Sequence, residues 1–202
     1  TNSPDLRGID VALLYQRDLF KLLSSRSISI PPLKQYRPTR DLLHVSGLLL
    51  TGDTLDVFVC HLPSRSGGAK ESESYRLYAA HILRMEVDSI MSIRSLPQVI
   101  IMGDFNDYPT NQSIQKILEA EAPPVTTNNL ASTTGSTNFS TVAPSSLKLY
   151  HLLARKAKSK DFGSYKYRGE WGLLDHLIVS GTLLNQSNHF FTSEEKANVC
   201  LL

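Results

Sequence analysis

The chain is poor in cysteine. Cys60 and Cys200 are its only two in 202 residues. Two cysteines make neither a disulfide scaffold nor a zinc centre with paired Cys ligands. It also lacks excess charge of either sign. Lys and Arg number 21 and Asp and Glu 19, a formal net charge of +2. That argues against a protein that grips duplex nucleic acid through a dense basic surface, because such binding needs clustered cations. A local basic site stays open. Long apolar runs are absent as well. Ile9–Tyr15 is interrupted by Asp10 and Val99–Met102 is short, both far below the roughly 20 residues that a helix needs to cross a bilayer. There is no phosphate-cradling P-loop, no dinucleotide glycine fingerprint and no nucleophile elbow.

Hydrophobic residues make up 41 % of the chain and charged residues 20 %. This is ordinary globular composition, and the length suits one domain, residues 1–202. Apolar runs predict strands at Ile9–Tyr15, Leu42–Thr51 and Thr54–His61, with Gly52-Asp53 turning the last two into an antiparallel hairpin. Leu77, Ala80, Leu83, Val87 and Ile90 keep helical spacing and predict a long helix over Ser72–Ile93. A short strand is expected at Gln98–Met102, ended by Gly103. A second helix is expected near Asn111–Glu121, with Ile114, Ile117 and Leu118 inward and Pro123-Pro124 as its stop. Residues 125–147 are rich in Thr, Ser and Asn and read as a long loop. Beyond it, Ser164–Arg168 and a Gly169-Glu170 turn lead into Trp171–Ser180, with Leu173–Val179 a buried strand and His189–Thr192 a last short one. The fold class is α/β.

Three places carry the candidate chemistry. Gly103-Asp104-Phe105-Asn106 follows a strand directly, where α/β sheets place their ligands. Asp104 and Asn106 are two apart, so both can face one side while Phe105 turns into the core. A carboxylate there can take a proton from water or help hold a metal, and the amide can donate to a phosphate oxygen without adding charge. A simple strand-ending turn favours the same residues. His61 closes the strand from Thr54, with Ser64 and Arg65 just after it. Imidazole, hydroxyl and guanidinium together suit a phosphoryl oxygen, although a lone strand-end histidine is more often structural. In Asp175-His176 the carboxylate sits in an apolar run and calls for a partner. Neighbours on a strand point to opposite faces, so His176 is not that partner and reads as structural. Glu73 and Arg76 start the long helix. Arg7 suits either an anion or a structural bridge, and Tyr165, Tyr167 and Trp171 suit either base stacking or cross-strand packing.

In order along the chain, Arg7-Gly8-Ile9-Asp10-Val11-Ala12, Val59-Cys60-His61-Leu62-Pro63-Ser64, Glu73-x-x-Arg76, Gly103-Asp104-Phe105-Asn106 and Leu174-Asp175-His176-x-x-Val179-Ser180 resemble the endonuclease/exonuclease/phosphatase superfamily, the deoxyribonuclease I-like phosphoesterases. Ser164–Trp171 is similar to uncharacterised Bacteroidetes-type members. The resemblance implies a four-layer α/β/β/α sandwich and metal-dependent hydrolysis of phosphate mono- or diesters with Mg²⁺ or Mn²⁺. It implies that Asp104 orients or deprotonates the attacking water, Asn106 binds a phosphate oxygen, and His61 hydrogen-bonds the phosphoryl group with Ser64 and Arg65 nearby. Asp175 would buttress a second histidine, and Asp104 and Asn106 would lie at the metal.

The family's Asn and Glu strands before Thr1, and its closing Ser-Asp-His strand, have no match here. The chain is therefore expected to be the middle of a larger domain, binding Mg²⁺ weakly and hydrolysing little by itself. A non-catalytic member that binds a phospho-ligand or protein is the alternative, as is a bare fragment. Nucleic acid, phosphoinositide and phospholipid head groups all stay open as substrates, and no stable protein partner is expected. For the full-length protein the resemblance is compatible with an extracytoplasmic location, which this stretch does not itself encode.

Overall fold

The computed structural model of the chain describes residues 1–34, 36–125 and 144–200. Its frame is a six-stranded sheet. In chain order the strands are β1 (Phe20–Ile28), β2 (Leu42–Leu49), β3 (Thr54–His61), β4 (Gln98–Asp104), β5 (Leu149–His151) and β8 (Asp175–Ser180). Their spatial order is β1-β2-β3-β4-β8-β5. β3 and β4 are parallel and every other neighbouring pair is antiparallel. A parallel pair needs a crossover, and α1 (Glu73–Ile93) supplies it. The remaining strands, β6 (Tyr165–Tyr167) and β7 (Glu170–Gly172), form a separate hairpin. Its turn residues Arg168 and Gly169 both have positive φ, the conformation that two-residue hairpin loops favour.

The alternation of β3 shows how the sheet is buried. Phe58 and Cys60 face α1, in one core with Ala80, Leu83, Val87 and Ile101. Leu55, Val57 and Val59 face the other way, in a second core with Val11, Tyr150, Leu152 and Leu183. Both faces are therefore apolar, which is why the strand reads as a continuous run. Among the described residues α1 forms the helical layer on one face. Irregular segments near both ends of the chain, together with the stretch from Leu152 to Leu173, cover the other.

The β2–β3 hairpin, the Thr54–His61 strand and the long helix stand where the sequence places them. The predicted strand at Ile9–Tyr15 is instead an irregular segment. Val11 is buried in the second core, but Asp10 accepts from Ser3 and Thr1, so this stretch folds back on the chain start and pairs with no strand. His189–Thr192 is not a strand either, and its Thr192 amide makes one bond to the Leu183 carbonyl. The expected helix near 111–121 contracts to a single wide turn at Ser113–Ile117, with Ile114 and Leu118 buried as predicted. Of the loop expected over 125–147, residues 126–143 lie outside the described residues. β1 carries no sequence signal, because only its ends Phe20 and Ile28 are buried. Its Phe20 ring packs where a side chain at Gly47 would sit: a Cβ there would lie 2.1 Å from the ring.

Candidate active site

The register of three central strands builds the site. His61 on β3 pairs with Asp104 on β4, and Asp104 pairs with Asp175 on β8. The three thus form one row across the sheet. Each is an even number of residues from a neighbour in the second core: Val59, Met102 and Leu177 respectively. All three side chains therefore leave the sheet on the face away from α1. His61 Nε2 lies 3.6 Å from Asp104 Oδ2, and the two side chains are 28 % and 34 % exposed, so both are open to a ligand.

Asp104 is held by its own loop. Its Oδ1 accepts the Asn106 amide N–H at 2.7 Å. Asn106 has φ 52°, a left-handed conformation that Asn tolerates better than most residues. The Asn106 side-chain amide donates to the Leu62 carbonyl at 3.0 Å, tying this loop to the end of β3. Phe105 is fully buried and its N–H donates to the Leu174 carbonyl. Gly103 is dictated by the close approach of the parallel strands: its φ is +128°, and a Cβ there would lie 2.0 Å from the Cys60 carbonyl oxygen.

Beneath the loop, Asp107 is buried, accepts from Arg76 Nε at 2.7 Å and takes the Ser113 hydroxyl at 2.7 Å. His176 Nε2 meets the Asp107 carbonyl at 2.9 Å, and His176 Nδ1 meets His151 Nε2. The Leu153 N–H donates to His151 Nδ1. That last bond fixes the tautomers. His151 carries its proton on Nε2 and donates to His176, which in turn donates to the Asp107 carbonyl. Burial pushes both histidines down, to about 3 and about 4, so the chain of bonds is neutral near pH 7.

Electrostatics separate the two central groups. Burial raises the Asp104 carboxyl above its ordinary value, and the Asp175 carboxylate across the strand adds to the rise. Burial lowers His61 to about 4, helped by the nearby Arg40 and Arg7 cations. At neutral pH His61 is therefore a neutral donor beside a carboxylate of raised basicity, not one half of an ion pair.

Asp175 is exposed, not buried in the apolar run. It stands at the first position of β8, its amide donating to Ser164 Oγ, so its carboxylate needs no buried partner. Ser64 flanks the site in the loop after β3 and accepts from the Ser66 amide at 3.3 Å. Arg65 is put to another use. Its Nε donates to the Asn106 carbonyl at 2.7 Å, its Nη2 to Asn111 at 3.2 Å, and its plane lies 4.6 Å over the Tyr108 ring. It braces the Asp104–Asn106 loop. Tyr165 and Tyr167 are exposed and stack on each other at 6.2 Å, outside the main sheet. His151, Asp107 and Arg40 are the residues sequence reasoning missed. Only His151 carried a signal, as a second histidine in an apolar run.

Among the described residues no three Asp, Glu, His or Cys side chains come together as metal ligands. Asp104 and Asp175 supply two carboxylates, and Asp104 already uses one oxygen on the Asn106 amide. These residues alone do not form a preformed Mg²⁺ or Mn²⁺ site.

The comparisons with known proteins agree with this architecture. The profile described as the Endonuclease/Exonuclease/phosphatase family matches residues 1–200. The chain belongs to this family. Its members are phosphoesterases, including nucleases and phosphatases. Similar solved structures include the human Nocturnin catalytic domain with a bound sulfate anion, at TM-score 0.53 and 20 % identity over 82 % of this chain and 50 % of that one. A truncated Caenorhabditis elegans TDP2 gives 0.52 and 14 % over 81 % and 54 %. A Bacteroides thetaiotaomicron mannosyl-6-phosphatase gives 0.52 and 15 % over 82 % and 55 %. At such identities the likeness establishes the fold, and the chain spans about half the length of these structures. No curated protein matches.

Proposed function

We propose that the protein hydrolyses phosphate esters at the row formed by His61, Asp104 and Asp175. The observation that carries this reading is the register that brings these three residues to one face of the sheet end, with Asn106 tied into the same loop.

Asp104 takes a proton from the attacking water as the water oxygen bonds to phosphorus. Its raised proton affinity makes it a better base than an ordinary surface carboxylate. The bond from phosphorus to the leaving oxygen breaks, and that oxygen takes its proton from solvent. Negative charge grows on the non-bridging oxygens, where fixed donors act most strongly. Neutral His61 donates one N–H to them, and the Ser64 hydroxyl is a second donor in the loop beside it. Asp175 lifts the basicity of Asp104 across the strand pair. Arg65 serves by holding the Asn106 carbonyl.

Turnover of bis(4-nitrophenyl) phosphate by the intact protein tests this. Hydrolysis that drops by about 10²–10⁴ in Asp104→Ala is the expected result. Undiminished turnover in that variant, or binding of phosphate esters with no turnover in the wild type, would count against it and favour a binding protein on the same scaffold.

A further inference from the structure

The β6–β7 hairpin stands outside the row but is anchored to it. Ser164, the residue before β6, accepts the amides of Leu174 at 3.2 Å and Asp175 at 3.0 Å through its hydroxyl. The Ser164 amide donates to the Gly172 carbonyl at 3.0 Å. Gly172 lies against Tyr108, two residues past Asn106: a Cβ there would sit 2.8 Å from the ring. The base of the hairpin therefore touches Asp175 on one side and the Asp104–Asn106 loop on the other.

Its two faces differ. Residues opposite each other in an antiparallel pair share a face. Tyr165 pairs with Gly172 and Tyr167 with Glu170, so both tyrosines lie on the face that Tyr108 meets. Lys166 and Trp171 pair on the other face, the ammonium 5.1 Å over the indole. Tyr165 is 46 % exposed, Tyr167 55 % and Tyr108 38 %. The Tyr165 and Tyr167 rings are inclined by only 11°. Neither belongs to a core cluster, so packing does not account for them. Exposed rings thus run outward from the site loop with a cation at each end, Arg65 over Tyr108 and Arg168 over Tyr167.

The chain leading into the hairpin is basic. Residues 156–168 hold five Lys or Arg and one Asp. Lys148 and Arg155 before them pair with Glu121 and Glu194, but these five have no carboxylate partner among the described residues. Exposed rings beside unpaired cations fit a ligand with planar faces and negative charge along one chain. Single-stranded nucleic acid has both. A duplex keeps its base faces inside its own stack. A neutral sugar polymer gains nothing from the cations. A lipid surface calls for an apolar tip, and here the tip is Arg168-Gly169-Glu170.

We propose that the tyrosine face of the β6–β7 hairpin binds single-stranded nucleic acid, its bases stacked on Tyr165 and Tyr167, and that this strand is the substrate of the row. The second half of this statement rests on the phosphoesterase reading above, and the first half does not. DNA and RNA strands share the chemistry. Glu170 lies on the same face, so the phosphates pass on the Arg168 side.

Fluorescence anisotropy tests the surface. A labelled oligothymidylate of about ten nucleotides, and its oligouridylate counterpart, are titrated with intact Asp104→Ala protein free of divalent metal. Saturable binding is expected, and the tighter of the two strands identifies DNA or RNA. Tyr165→Ala and Tyr167→Ala each weaken it about five- to fiftyfold, the loss of one stacked base. Tyr165→Phe and Tyr167→Phe keep the ring and stay within about twofold. Arg168→Gln lowers the slope of log affinity against log salt by about 0.7, the loss of one phosphate contact. Unfolding temperatures within a few degrees of wild type show that the variants fold. Absence of saturable binding, unchanged affinity in both Ala variants, or equal displacement by the matching duplex overturns the surface. Tighter binding to phosphatidylserine vesicles or to mannan overturns it too.

Cleavage separates the two halves. In the protein with Asp104 intact, Tyr165→Ala combined with Tyr167→Ala should lower kcat/KM at least about ten times more for the oligonucleotide than for bis(4-nitrophenyl) phosphate, through KM. Equal losses, or turnover of the small ester with no cleavage of either strand, overturn the substrate claim alone. Strand binding with no turnover of any ester leaves the surface standing and removes the reading of the row.

Discussion

At the scale of single residues, the account rests on side chains whose protonation is set by their surroundings. Asp104 is raised by burial and by Asp175. The acid limb of kcat/KM should therefore lie above the ordinary carboxylate range, and Asp175→Asn should move it to lower pH, because one raising charge is gone. A pH–rate profile of the two proteins reads this directly. His61 stays neutral from about pH 5 upward, since it protonates only near 4. His61→Ala should cost about 10²–10³ in kcat, the usual cost of losing one fixed donor to a developing oxyanion. The placement of Asp104, Asn106 and His61 at the ends of neighbouring strands was legible in the sequence, because each closes or follows an apolar run, although a strand-ending turn uses the same residues. Arg40 was not legible. It follows Arg37-Pro38-Thr39 in a stretch without periodicity, and only the folded chain shows it buried and turned toward Leu62 and Asp5.

At the scale of elements, the junction of β3 and β4 decides whether the row forms. Gly103 has no room for a Cβ against the Cys60 carbonyl. Gly103→Ala should cost roughly 3 kcal/mol or more, combining a disfavoured φ with a backbone clash, and should reduce activity by moving Asp104. Chemical denaturation together with turnover checks both parts. The Arg76–Asp107 pair behaves differently. Both partners are buried, and without Arg76 the Asp107 carboxylate keeps only the longer contact to Arg65 at 3.5 Å and the Ser113 hydroxyl, so Arg76→Met should cost about 3 kcal/mol. β3 and α1 were legible because their apolar periodicity runs the whole length of each element. β1 was not, since an exposed edge strand buries only Phe20 and Ile28 and leaves no alternation to read. The segment Ile9–Tyr15 misled for the opposite reason. Its apolar residues are partly buried, but burial against a sheet face does not require pairing with a strand.

At the scale of the whole molecule, three histidines make stability depend on acid. His61, His151 and His176 protonate near 4, 3 and 4 in the folded chain, against 6.5 for an ordinary histidine. The unfolded chain therefore takes up these protons first as pH falls. Their contribution is fully present above about pH 6.5 and is lost progressively between there and about pH 3, where His151 is the last to protonate. Thermal unfolding should show a flat Tm above pH 7 and a steady fall below 6.5. His151→Phe should make that fall shallower while costing about 1–3 kcal/mol at neutral pH, because His176 Nδ1 loses its donor.

The small net charge of +2 is also better understood at this scale. It is an average over the chain, and it hides a basic stretch at residues 156–168, with five cations and one carboxylate, leading into the β6–β7 hairpin. Composition bears on the surface as a whole and not on one local site.

The central claim is that His61 and Asp104 act on one phosphate as a unit. Comparing kcat/KM for bis(4-nitrophenyl) phosphate in the wild type, His61→Ala, Asp104→Ala and the double variant tests it most directly. Groups that share a transition state lose activity non-additively. The account predicts a double variant little worse than Asp104→Ala alone. Losses that simply multiply, or a single variant with wild-type activity, would contradict it.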